Sequence, residues 1–233
     1  MLMMLVPFAA FGAGKIADVV YVKGTVQIVR DGKSMAAQLQ APIMQDDTIT
    51  TKANGMVKIL FKDDSVITIS PDSSFSISEF LYNTQKQRSQ SLFKLLYGKV
   101  RTVVGRTLLK ITSDTAIAGV RGTVFDVWYD SATKTTYVAV LEGSVELKNL
   151  RPDVKGTQII TGGNASSVTG GEPPKPPTPY TPPPEQPGGN LPPVEPPAGG
   201  QGAPIGGQVI TNTPPIHQTP NGFSKVGINV VFP

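Results

Sequence analysis

Catalysis and metal binding need titratable or ligating groups that converge, and this sequence holds few of them. His217 is the single histidine among 233 residues and there is no cysteine. Neither a Ser–His–acid triad, a histidine metal cage, a thiol nucleophile nor a thiolate site can therefore be assembled. The paired carboxylates are Asp46–Asp47 and Asp63–Asp64. Both stand between apolar runs where the chain must turn, so solvated turn residues are their expected role. Holding a hard cation there would need an EF-hand or nonapeptide spacing, and neither occurs. No phosphate-cradling loop occurs either. The sequence predicts a protein that is not an enzyme, with no catalytic residues, no metal and no cofactor.

Charge is more informative. From Glu79 to Asp114 the chain carries Lys86, Arg88, Lys94, Lys99, Arg101, Arg106 and Lys110 with no acid between them. If Lys94, Lys99, Arg101 and Lys110 share an exposed face, they form a basic patch for an anionic partner: lipid head groups, an envelope polysaccharide or an acidic protein surface. The competing reading is a set of solvated strand faces that only confer solubility. A net charge of +4 does not predict a nucleic-acid partner.

The most crowded stretch is Thr112–Phe125, TSDTAIAGVRGTVF. Ala116, Ala118, Gly119 and Gly122 let backbones approach closely, which leaves Arg121 as the one large charged side chain among small neighbours. A buried guanidinium needs acceptors, and Asp114, Asp126 and Glu142 are the nearest acids in sequence. Arg121 is thus predicted to be structural.

That run, with Leu109–Ile111 before it and Val138–Leu147 (VAVLEGSVEL) after it, resembles the signature of the FecR domain. Further blocks at Asp46–Thr51 and Phe61–Ser65 follow in the same order, so the resemblance covers roughly Val20 to Leu150. FecR domains belong to bacterial cell-envelope proteins whose founding members relay an iron-siderophore signal from an outer-membrane transporter to an extracytoplasmic sigma factor. The resemblance marks Asp114, Gly119, Arg121, Gly122, Thr123, Phe125, Glu142 and Gly143 as structural signature residues. It implies a stand-alone exported form, without the cytoplasmic sigma-binding region of the founding members. Such a protein would bind, sense or relay a signal in the envelope through an envelope protein or an anionic glycan or lipid surface. The alternative is a structural surface or matrix component with a β head on a Pro-rich stalk.

The elements that must position these residues read as strands. Apolar and polar positions roughly alternate from Ile16 to Val29, the period of a half-buried strand. Turn signals at Asp31–Gly32, Asp46–Asp47, Asn54–Gly55, Asp63–Asp64 and Pro71–Asp72 leave strands such as Val57–Phe61 and Val66–Ile69 between them. Asn83–Gln90 is a polar break, a loop or hairpin tip. Val124, Val127 and Tyr129 break strict alternation, as a bulge near Phe125–Asp126 would. Thr157–Thr161 and Ala165–Val168 are two further short strands. A Gly-x-Val motif recurs at Gly24, Gly55, Gly98, Gly122 and Gly143 at unequal intervals, a repeated way of entering a sheet. The expected fold is all-β: a compact sandwich or an irregular β-helix-like stack of short strands.

Composition divides the chain into residues 1–14, 15–169 and 170–233. Met1–Gly14 (MLMMLVPFAAFGAG) resembles the apolar region and cleavage end of a signal peptide, with no basic residue ahead of the apolar run. It is shorter than the about 20 residues a membrane helix needs. A periplasmic or secreted protein with no stable transmembrane span is expected. After Gly170 lie 18 of the 22 prolines. That region is expected to be mostly disordered and, in its first half, polyproline II in character.

Overall fold

The computed structural model describes residues 14–83, 88–105 and 107–180, and among them every regular element is a strand. The first nine are β1 (Ala17–Lys23), β2 (Val26–Arg30), β3 (Lys33–Ala36), β4 (Pro42–Ile43), β5 (Thr48–Thr51), β6 (Met56–Phe61), β7 (Val66–Ile69), β8 (Ser74–Asn83) and β9 (Arg88–Val103). They are followed by β10 (Leu108–Thr112), β11 (Ala116–Arg121), β12 (Val124–Asp130), β13 (Thr135–Glu142), β14 (Ser144–Asn149), β15 (Thr157–Thr161), β16 (Asn164–Thr169) and β17 (Thr178–Pro179). Among the described residues no helix is long and apolar enough to cross a membrane. The expected leader up to Ala13, His217 and most of the Pro-rich region lie outside the described residues.

All seventeen strands belong to one hydrogen-bonded network. It runs as two rows that share β9. The first sheet reads β4-β1-β6-β7-β9-β12-β13-β16-β17. The second reads β3-β2-β5-β8-β9-β10-β11-β14-β15. Their inner faces meet in one core. Phe61 of the first sheet lies 5.1 Å from Phe93 and 5.5 Å from Phe80 of the second, ring centre to ring centre. The alternation read from sequence is what makes this possible, since β6, β7 and β14 bury every second side chain. Of the two all-β architectures expected, the pair of facing sheets is the one formed. A buried hydroxyl cluster also crosses between them: Thr136 Oγ1 of β13 lies 2.6 Å from both Ser113 Oγ and Thr115 Oγ1, beside the β10–β11 turn.

Each Gly-x-Val motif sits where the chain passes from one sheet to the other. Gly24 lies between β1 and β2, Gly55 between β5 and β6, Gly122 between β11 and β12, and Gly143 between β13 and β14. Gly98 is the corner within β9: residues up to Tyr97 pair in the second sheet, and from Gly98 onward the strand pairs with β12 and β7 in the first. The corners stack on one another. A Cβ at Gly143 would stand 2.8 Å from the carbonyl oxygen of Gly122 and 2.9 Å from Thr123 Oγ1. Four of the motif valines, Val26, Val57, Val100 and Val145, enter the core. The fifth, Val124, is only half-buried because the β12–β13 register shifts between Val124 and Phe125, the bulge expected there.

The polar break is shorter than its composition indicates, because β8 and β9 pair as far as Asn83 and Arg88. The aspartate pairs also depart from the solvated role. One member of each pair, Asp46 and Asp64, is exposed and takes a positive φ. Its neighbour is buried: Asp47 accepts two 2.7 Å bonds from Arg30 and one from the Met44 N–H, and Asp63 accepts from the Ser65 N–H. The bond to Asp47 and its negative charge hold the Arg30 guanidinium above its ordinary pKa.

Candidate functional site

Strand registers on the outer face of the first sheet place two rungs side by side. One runs Arg101, Asp126, Ala139, Ala165, and the other runs Lys99, Trp128, Tyr137, Ser167. The Asp126 carboxylate is fully buried although it points to this outer face, because two cations close over it. Arg101 donates to it through Nε at 2.7 Å and Nη2 at 3.1 Å, and Lys99 Nζ lies 2.9 Å from Oδ2. This explains why Phe125, Asp126 and Val127 are buried in succession where a strand should alternate.

The same Lys99 ammonium stands 5.5 Å from the Trp128 ring centre, within cation–π range. On its other side Trp128 stacks on Tyr137, 5.1 Å between centroids and 9° between planes. Tyr180 closes the group at 6.5 Å. Backbone bonds bring Tyr180 there: its N–H donates to the Gly163 carbonyl at 2.9 Å, the Lys175 N–H donates to Ser167, and β17 pairs with β16. Pro173–Tyr180, which composition assigns to the tail, thus run along the edge of the first sheet.

Two grooves flank this aromatic group. One, of about 470 Å³, lies among Pro71, Gly98, Lys99, Trp128, Asp130 and Tyr180. The other, of about 310 Å³, lies among Trp128, Tyr137, Ser167, Pro176, Pro179 and Tyr180. At the rim of the first, the Thr133 hydroxyl and then the Ala132 N–H hold the Asp130 carboxyl below the usual carboxylate range. Burial pushes the neighbouring Tyr129 phenol up, helped by the charges of Asp114 and Asp130.

The four predicted patch residues separate into two pairs. Lys99 and Arg101 sit on the first sheet and share Asp126. Lys94 and Lys110 sit on the outer face of the second, where Lys94 pairs with Asp114 at 3.0 Å and Lys110 is exposed. The corner at Gly98 divides them. Lys86 and Arg106 lie outside the described residues.

Among the signature residues, Phe125 is core, and buried Thr123 donates to the Ser144 and Arg121 carbonyls. Gly122 and Gly143 are stacked corners. Asp114 and Glu142 are exposed, and Gly119 has room for a Cβ, which would meet only the Glu146 carbonyl oxygen at 4.0 Å. Arg121 corrects an expectation: it is exposed at the end of β11 rather than buried. The crowding inferred from its small neighbours is real for Ala116 and Ala118, whose side chains face the core, but the odd-numbered residues face outward. Sequence reasoning also missed the Trp128–Tyr137–Tyr180 group. The signal available was strand alternation, which puts Trp128 two residues from Asp126 on the same face.

Two crystal structures, at 1.65 and 2.50 Å resolution, of a protein proposed to be an anti-sigma factor from Parabacteroides distasonis ATCC 8503 are similar to this chain. Each has a TM-score of 0.43, with 15% and 16% identity, covering 55% of this chain. The similarity spans 58% of the length of those chains. No curated protein matches the sequence. The family model described as FecR protein matches residues 47–146, a stretch that runs from the buried Asp47 through four of the five glycine corners to Glu146 in β14. On that match, residues 47–146 of this chain are a FecR domain.

Proposed function

We propose that this chain is a non-enzymatic, exported protein that acts in the cell envelope as a binding, sensing or signal-relay module. The observation that carries the reading is the FecR domain at residues 47–146. The outer face of the first sheet supports it, because a half-buried aromatic group beside paired cations is the surface chemistry of recognition rather than of bond making. The partner is an envelope protein or an anionic glycan or lipid surface that meets Lys99 and Arg101 on one sheet or Lys94 and Lys110 on the other.

A second reading, a surface or matrix component with a β head on a Pro-rich stalk, draws support from the way Pro173–Tyr180 are tied to the sheet edge. Affinity capture from envelope fractions separates the two. A small set of stoichiometric protein partners supports the relay, whereas co-purification with peptidoglycan or polymer alone rejects it. Export itself is tested by N-terminal sequencing of the protein from fractionated cells. Mature protein outside the cytoplasm beginning near Ala13 or Lys15 is expected, and an intact Met1 in the soluble cytoplasm overturns it.

A further inference from the structure

The Trp128 face shows what chemistry it accepts, because part of this chain already lies on it. Pro176, Pro179 and Tyr180 form one wall of the smaller groove against Trp128 and Tyr137, in an extended stretch that pairs with β16 over only two residues. Proline-rich chain is suited to such a surface. Its polyproline II form is pre-organised, carries rigid apolar rings and lacks N–H donors that would otherwise need partners. Grooves that recognise it are built from aromatic side chains. The larger groove, on the other side of Trp128 and Tyr180, has the same kind of walls: Pro71 and the two rings, with Lys99 and Asp130 at its rim.

The charges around it also select. Lys99 keeps a partly exposed ammonium at one end of the groove, with Asp130 elsewhere on its lining, and Lys175 is exposed beside the smaller groove. We propose that the larger groove binds an acid-bearing, proline-rich segment of a partner protein in polyproline II form, with prolines against Trp128 and Tyr180 and a carboxylate at Lys99. This rests on the reading of the chain as a binding module and names the partner's chemistry.

Trp128 is the only tryptophan in the sequence, so its emission reports on this groove directly. The test titrates the full-length protein with the synthetic peptide PPPEPPPEPP, with the same peptide carrying alanine at every proline, with a glutamine-for-glutamate version and with a chitin oligosaccharide. A saturable emission change is expected with the first peptide, at least ten-fold weaker binding with the alanine peptide, and weaker binding with the glutamine peptide. Tyr180→Ala should weaken the first peptide at least ten-fold. Pro71→Ala, on the opposite wall and away from β17, should weaken it too while leaving the melting temperature unchanged. No saturable change, equal binding of the alanine peptide, or a response to the sugar alone overturns the proposal. Because the assay uses purified components, its failure leaves the envelope capture result standing, and failure of that capture leaves this one standing.

Discussion

Gly98→Ala tests whether the glycine corners set the fold. Gly98 has φ of +87°, a region that costs a residue with a side chain about 1–3 kcal/mol. Space is also lacking: the new Cβ would lie 2.2 Å from Ser73 Oγ, 2.5 Å from Ser73 Cα and 2.6 Å from the Asp72 carbonyl oxygen. Two of these three atoms are backbone, so the neighbouring corner must move. That movement would pull Ser73 Oγ from the Lys99 N–H it accepts at 2.9 Å. Overpacking of this kind costs about 1–3 kcal/mol, so the total should be roughly 2–6 kcal/mol. Urea denaturation followed by Trp128 fluorescence measures it. Gly119→Ala is the internal control, a mid-strand glycine with no positive φ and an open Cβ position. It should be neutral or stabilising by up to about 1 kcal/mol. If Gly98→Ala unfolds within 0.5 kcal/mol of the parent, or if both substitutions destabilise equally, the corners do not carry the role assigned to them.

Replacing both Lys99 and Arg101 by alanine leaves the buried Asp126 carboxylate without its two cations and should cost about 3–5 kcal/mol, while either single replacement costs clearly less; equal losses in the single and double variants would refute the shared arrangement. Arg121→Ala, at an exposed position, should change stability by no more than about 0.5 kcal/mol, and a sharp fall in melting temperature would restore the buried role that its neighbours in sequence indicate. Asp130 should titrate below the usual carboxylate value of about 3.9 in a carbon-13 NMR titration, and Thr133→Ala should raise it. Because the folded-state value is depressed, the contribution of this turn is fully present above the unfolded-state value and is lost as pH falls through the folded one. An Asp130 that titrates normally in both proteins contradicts the turn geometry.

Local chemistry was legible wherever one residue type has one physical use. Asp31–Gly32 reverses the chain between β2 and β3 because both residues take positive φ, and this is readable from the dipeptide. The Gly-x-Val recurrence was legible as entry into a sheet, but not as passage between sheets. A glycine followed by an apolar alternation looks the same whether the strand before it belongs to the same layer or to the opposite one. The solvated reading of the aspartate pairs failed for a related reason: adjacent residues at a turn point in opposite directions, so one carboxylate meets water and the other meets Arg30 or the backbone of its own turn.

The basic run shows how such a corner sets the placement of charges as well as the fold. Within one strand, Lys94, Lys99, Arg101 and the adjacent-strand Lys110 would be separated by alternation alone, and even spacing would decide which of them share a face. Gly98 changes that rule in the middle of β9, because the residues before it hydrogen-bond in the second sheet and those after it in the first. A cluster of four in sequence therefore becomes two pairs on different sheets. Each pair then takes its character from a residue that sequence distance hides: Asp114 beside Lys94, and Asp126 with Trp128 beside Lys99. Lys99 and Arg101 both pair with Asp126, and Lys99 also lines the groove beside Trp128. The sheet on which each cation stands is thus set by where the chain changes sheets, more than by where the charges accumulate along the sequence.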